Sequence, residues 1–260
     1  MKNLFVLLLV SIMMSFIASA DETPDAQPIP EPPIEQPPSD FTPGGEIIPT
    51  IYYKPILTVD NTKCLEADIQ DIMDVQGSVL VRVCPPLLKK CAIQGSCILK
   101  VEQKVLSLTF MKKIDNTYRF KETSEENCPY GLGVKNICLD PFFSIAADLT
   151  IYKPGDVIFI AELMGLKLPN GEYHNGFLVV RDSGGNIKGE HRFDFFTGFF
   201  PYGDQSNPFS VLKLDVKSTR MPYFKVGGRT AELVKRSRTY PLVPKRSWPP
   251  KTIVDSISGL

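Results

Sequence analysis

FLVVRDSGGNIKGEHRFDFF, Phe177–Phe196, is the stretch on which the reading of this chain turns. Its apolar opening, Gly176 to Val180, has the length and β-branched content of a strand. Asp182 therefore stands where a buried strand opens into a loop. Gly184, Gly185 and Gly189 in that loop permit positive φ and a close approach of another group to the backbone. Lys188 among them is a cation able to tune a neighbouring carboxylate. Phe193-Asp-Phe-Phe196 then sets a carboxylate among aromatic rings. In an extended segment Phe193 and Phe195 face one way and Asp194 the other, which points Asp194 into a groove or barrel mouth. Desolvation there raises a carboxylate's pKa toward what a general acid needs near neutral pH. His191 reads as a polar neighbour of Asp194 or a residue lining the groove.

Outward from this stretch the pattern is strand, turn, strand. Phe143–Ala147 and Asp156–Ile160 read as strands around a Pro154-Gly155 turn, Asn170-Gly171 is a hairpin-type signal, and Phe209–Val216 reads as the next strand. Short strands with almost no helical periodicity predict a mainly β fold, a small barrel over residues 141–216. Upstream, residues 51–140 hold all six cysteines, Cys64, Cys84, Cys91, Cys97, Cys128 and Cys138. Ser78–Cys84 and Cys97–Val101 read as strands, and Cys64–Met73 as the one short helix. An even cysteine count in an exported chain predicts disulfides with open connectivity, and hence a stapled β-rich N-terminal elaboration. No Cys-x-x-Cys pair occurs and only two histidines are present, which argues against zinc.

The ends are compositionally distinct. Residues 1–20 read as a signal peptide: Lys2, an apolar run from Leu4 to Ile17, and Ala18-Ser-Ala20 before cleavage. That run is short for a bilayer span, so the expected product is exported, periplasmic or secreted, and not membrane-embedded. Residues 21–50 carry nine prolines and seven acids with no Lys or Arg, and read as a disordered acidic spacer. Residues 217–260 form a basic extension; 229–251 hold seven Lys/Arg against Glu232, a pattern expected of a solvated tail. Over the whole chain 29 basic residues balance 29 acidic ones, which excludes the basic footprint of a global nucleic-acid binder. Oligomeric state is left open by the sequence.

Three pieces taken together resemble a known family. They are Asp148 in Ser144-Ile-Ala-Ala-Asp148 with Lys153-Pro-Gly-Asp-Val-Ile158 after it, Asp182 in Asp182-Ser-Gly-Gly-Asn-Ile-Lys-Gly189, and Asp194 in Arg192-Phe-Asp-Phe-Phe-Thr-Gly198. They resemble the three-aspartate, or 3D, domain found in membrane-bound lytic transglycosylase A and in related bacterial envelope and spore proteins. The resemblance implies a double-psi β-barrel that cleaves peptidoglycan glycan strands between N-acetylmuramic acid and N-acetylglucosamine. It implies that Asp194 is the single catalytic acid and base, with Asp148 and Asp182 as supporting acids and Gly184, Gly185, Lys188 and His191 binding or orienting substrate. The implied product is a 1,6-anhydro sugar, formed without cofactor or metal. Asp194 follows Asp182 by twelve positions, one more than the family pattern; a bulge between Gly189 and Phe193 would absorb the difference, and without it a one-residue slip would turn Asp194 to the wrong face. Three other functions compete, one of them a structural envelope protein whose basic tail grips anionic polymers. His174, Asp182, His191 and Asp194 are potential metal ligands, although their spacing matches no common zinc motif. Double-psi barrels also serve in expansin-like wall-loosening proteins, where a similar groove binds glycan without cleaving it.

Overall fold

Phe193 and Phe195 are completely buried while Asp194 between them is partly exposed, so the alternation of the segment decides which face meets the core. In the computed structural model, residues 39–123 and 128–244 are described. The signal peptide, most of the acidic spacer and the end of the basic tail lie outside them.

The chain enters through β1 (Phe41–Glu46) and β2 (Ile48–Tyr52). A second group of elements follows: β3 (Ile56–Thr58), β4 (Gln70–Met73), β5 (Val79–Val83), α1 (Pro85–Gln94), β6 (Ser96–Val101), β7 (Lys104–Ile114) and β8 (Thr117–Glu122). The rest of the described chain supplies β9 (Ser144–Ala146), β10 (Val157–Phe159), β11 (Phe177–Asp182), β12 (Arg192–Phe196), α2 (Pro208–Val211), β13 (Pro222–Val226) and α3 (Gly228–Ser237).

The fold is mainly β, in two sheets. Seven strands run in the order β1-β13-β10-β11-β9-β12-β2, and six in the order β3-β6-β7-β8-β4-β5. In the first sheet β9 pairs parallel with β11, β2 pairs parallel with β12, and the remaining pairs are antiparallel. Its core collects Ile145, Ile158, Leu178, Val180, Phe193, Phe195 and Phe209. The second sheet closes on α1 around Ile72, Val83, Leu88, Leu99, Leu108 and Phe120.

All six described cysteines are paired, as Cys64–Cys84, Cys91–Cys97 and Cys128–Cys138. The first bridge ties the loop before β4 to the start of α1, and the second pins α1 to β6. Between the sheets, Lys54 is fully buried and donates to Ser107 Oγ at 2.8 Å and to the Pro129 carbonyl at 3.0 Å.

Several expectations are corrected. The spacer does not extend to residue 50: Phe41–Glu46 and Ile48–Tyr52 are strands of the first sheet, because β13 and β12 present open edges to them. The stapled sheet is consequently an insertion between β2 and β9 rather than an N-terminal elaboration. The region after residue 217 contributes β13, inside the same sheet, and α3. Its Arg238 is no solvated cation; it grips the fully buried carboxylate of Asp140 with two bonds of 2.8 Å. Cys64–Met73 forms two 3-10 turns and β4 instead of a helix. The helix is α1, where Pro85 and Pro86 occupy first-turn positions that need no N–H, and Gly95 ends it at φ 75°. Phe209–Val216 is likewise no strand: Asn207 caps α2 by accepting from Phe209 N–H at 3.1 Å, with Pro208 beginning the turn.

Candidate functional site

Four neighbouring strands build the site by register, with one irregularity between Val180 and Asp182 that sets Asp182 opposite Ala146. Asp182 on β11 pairs with Ala146 on β9, Ala146 with Asp194 on β12, and Asp194 with Thr50 on β2. Residues in register on adjacent strands share a face of the sheet, so one row reads Asp182, Ala146, Asp194, Thr50. The alanine matters because β9, the strand between the two carboxylate-bearing strands, places only a methyl in this row.

Asp182 is the more constrained acid. Its Oδ1 accepts from Ser183 N–H at 2.8 Å and its Oδ2 from the Tyr52 hydroxyl at 3.1 Å. Loss of hydration raises its pKa to about 7; the charge of Asp194 adds to the rise, while the two hydrogen bonds oppose it. Burial and the two nearby acids push the Tyr52 phenol well above its ordinary value, so it remains a hydrogen-bond donor. Asp194 is also raised by burial, against the pull of the Thr50 hydroxyl and the Arg192 guanidinium. Thr50 Oγ1 donates to Asp194 Oδ1 at 2.6 Å.

Asp148 does not join this pair. It accepts from Gly189 N–H at 3.0 Å, from Thr150 N–H at 3.0 Å and from Thr150 Oγ1 at 2.8 Å. Those bonds, with Lys188 Nζ at 3.8 Å, hold its pKa near 2. Asp148 thus ties the glycine loop to the turn that follows β9. Lys188 serves Asp148 and not the acids at the row. Within the loop, the residue that needs positive φ is Gly189 at 93°, the one whose N–H meets Asp148. Gly184 and Gly185 do not adopt it; Gly184 instead leaves room for Ile187, whose Cγ1 would stand 2.8 Å from an added Cβ.

The histidines part company. His174 is buried, stacked on Phe143 with centroids 4.7 Å apart, accepting from Gly176 N–H at Nδ1 and so donating from Nε2 to the Phe142 carbonyl. Desolvation lowers its pKa to about 4. His191 packs against Gly45 and lies 3.4 Å from the Tyr223 hydroxyl, rather than on Asp194. The four potential metal ligands are therefore dispersed, and among the described residues no group of three or more His, Cys, Asp or Glu is arranged to hold a metal ion. No bulge appears within β12: it pairs with β2 from Arg192 to Phe196 without a register shift.

Sequence reasoning did not reach Thr50 and Tyr52, the partners of both acids. Their signal was present in the alternation of Ile48-Pro-Thr-Ile-Tyr52, hidden by the proline-rich composition before it.

Comparison with known proteins gives a match to the family model described as the 3D domain, over residues 143–207. No curated protein sequence matches. Among solved structures, Escherichia coli MltA with bound chitohexaose is similar at 14% identity and a TM-score of 0.49, over 71% of this chain and 73% of that one. A membrane-bound lytic murein transglycosylase from Agrobacterium tumefaciens follows at 14% identity and 0.45, over 76% and 78%. MltA from Neisseria gonorrhoeae gives 14% and 0.43, over 70% and 72%. The matched residues, 143–207, contain Asp148, Asp182 and Asp194.

Proposed function

We propose that this protein is an exported peptidoglycan lytic transglycosylase, with Asp194 its single general acid and base. The observation that carries the reading is the difference between the two acids of the row. Both oxygens of Asp182 accept hydrogen bonds, whereas Asp194 has one oxygen, Oδ2, with no hydrogen bond among the described residues. An acid needs an unencumbered oxygen to carry a proton to substrate. The 3D-domain match over these residues supports the same assignment, and three formed disulfides are consistent with an oxidising compartment. The seven-stranded sheet is read as a double-psi β-barrel, with residues 141–216 as its core.

In this reading Asp194 protonates the oxygen linking N-acetylmuramic acid to N-acetylglucosamine, and the anomeric C–O bond breaks. The resulting carboxylate takes the proton of the muramoyl C6 hydroxyl, whose oxygen attacks the anomeric carbon and closes the 1,6-anhydro ring. The proton count balances and no water, metal or cofactor enters. Ordinary glycosidases use two carboxylates; here the substrate's hydroxyl stands in for the attacking water. Asp182, held in place by Tyr52, adds negative charge beside the oxocarbenium-like centre once it is ionised, as pH passes about 7. Gly184, Gly185, Lys188 and His191 bind or orient the glycan strand in this reading, and Asp148 holds the loop that carries the first three.

Incubating the mature protein with purified sacculi and analysing the products by mass spectrometry tests this. Anhydro-muropeptides are expected from the wild type, reduced by on the order of 10²–10⁴ in Asp194→Asn. Sacculus binding without such products would instead assign an expansin-like, non-catalytic role.

A further inference from the structure

Arg192 and Asp194 are alternate residues of β12 and so share its face, and Thr50 on β2 is in register with Asp194. Arg192 Nη2 lies 2.7 Å from Thr50 Oγ1, which lies 2.6 Å from Asp194 Oδ1. A guanidinium only donates, and a hydroxyl carries one proton. The threonine oxygen therefore accepts from Arg192, and its own proton is directed at Asp194 Oδ1. Arg192 cannot easily swing away, because Nη1 is held by the carbonyls of Ile48 at 2.9 Å and Phe193 at 3.0 Å. A proton placed on Oδ1 would meet the threonine proton head-on. Oδ2 faces no such donor among the described residues.

We infer that Arg192 and Thr50 are positioning residues that confine the labile proton of Asp194 to Oδ2. The chain of two bonds works through the direction of donation: a cation that cannot accept orients a hydroxyl, and the hydroxyl decides between two otherwise equivalent carboxyl oxygens. The hydroxyl bond is also charge-assisted when Asp194 is ionised, so it steadies the same oxygen after the proton has left. The catalytic consequence rests on the function proposed above; the wiring does not.

The test therefore reads Asp194 directly. Its carboxyl carbon is followed by NMR across pH in ¹³C-aspartate-labelled protein, assigned with Asp194→Asn. The titratable and charged groups around it are Arg192 on its own strand, Asp182 on β11 and Tyr52 on β2, with β9 contributing only Ala146. Thr50→Val is expected to raise the titration midpoint by about one pH unit, since a bond to the charged form is lost. Arg192→Gln is expected to raise it as well, and Thr50→Ser, which keeps the hydroxyl, to leave it unchanged. On sacculi the same order should appear in kcat, about tenfold lower for Thr50→Val with KM little changed and rescue by Thr50→Ser. An unchanged midpoint in folded Thr50→Val overturns the wiring. Should valine prevent folding, the comparison of Arg192→Gln with the wild type decides in the same way. A shifted midpoint with unchanged kcat overturns the positioning role. Shifted midpoints in a protein whose wild type yields no anhydro product would support the wiring and sink the transglycosylase reading alone.

Discussion

Asp182 and Asp148 have the same side chain, and their surroundings drive them apart. Asp182 gives up water between Tyr52 and Ala146, so its pKa rises from the ordinary carboxylate value to about 7. A raised folded-state pKa contributes stability that is fully present below the unfolded value, near 3.8, and lost as pH climbs through 7. Asp182→Asn removes that loss. The variant should match the wild type near pH 4 and exceed it by ~2–4 kcal/mol at pH 8, as urea midpoints at the two pH values would show. Asp148 behaves in the opposite sense. Hydrogen bonds to its charged form, from Gly189 first and then Thr150, hold it near 2. Its contribution is present above about pH 4 and disappears as pH falls toward 2. Asp148→Asn should therefore melt at a lower temperature than the wild type at pH 7, with the two curves converging near pH 2 in a circular-dichroism series. Equal melting temperatures at pH 7 would refute the staple assigned to Asp148.

At the scale of the element, the row across β11, β9, β12 and β2 depends on the smallness of its second member. Ala146 is 3% exposed and in register with both acids. A longer side chain there would be forced between the carboxylates or into the packing behind the sheet, and overpacking costs ~1–3 kcal/mol. Ala146→Leu is expected to lose stability by that amount and to lose anhydro-product formation further than the fraction unfolded explains. Full activity in a folded Ala146→Leu protein would show that the space between the acids is not used. The elements around the row also show where local signals were legible. Phe177–Asp182 and Arg192–Phe196 were readable as strands because β-branched and aromatic residues alternate or run together within clear turn boundaries. The missed helices α1 and α2 share a cause. Pro85-Pro86 and Asn207-Pro208 are start signals for a helix as much as breaks in a chain, and short apolar runs after them fit a helix or a strand equally well.

For the whole molecule, the end of the described chain is sewn in behind the strand that carries Asp182. Arg181 is fully buried and donates to the carbonyls of Cys138 at 2.9 Å, Leu242 at 2.7 Å and Arg238 at 3.1 Å. Arg238 in turn holds Asp140 and stacks over Phe143, its guanidinium carbon 3.6 Å from the ring centroid. Removing one partner of a buried ion pair strands the other charge, which costs ~3–5 kcal/mol. Arg238→Ala should show that loss in urea denaturation with an unchanged slope, whereas a loss below ~1 kcal/mol, the worth of an exposed pair, would return Arg238 to the solvated tail. This anchoring explains why composition misjudged both ends of the folded part. The acidic spacer and the basic extension look unable to build a core by themselves, yet β1 and β13 pair with each other and α3 is capped by Asp40 through Thr230.

The sequence by itself determined the mainly β character, the oxidised cysteines and the positions of the three spaced aspartates, because alternation, turn residues and cysteine parity act locally or through composition. Only the tertiary structure decided how the cysteines pair, that Asp182 and Asp194 stand one alanine apart while Asp148 is committed to the glycine loop, and that Thr50, Tyr52 and Arg192 hold the acids. Those relations are cross-strand registers and hydrogen bonds spanning as many as 144 positions. Sheet pairing sets such contacts, and pairing is a property of which edges meet in space rather than of any one segment.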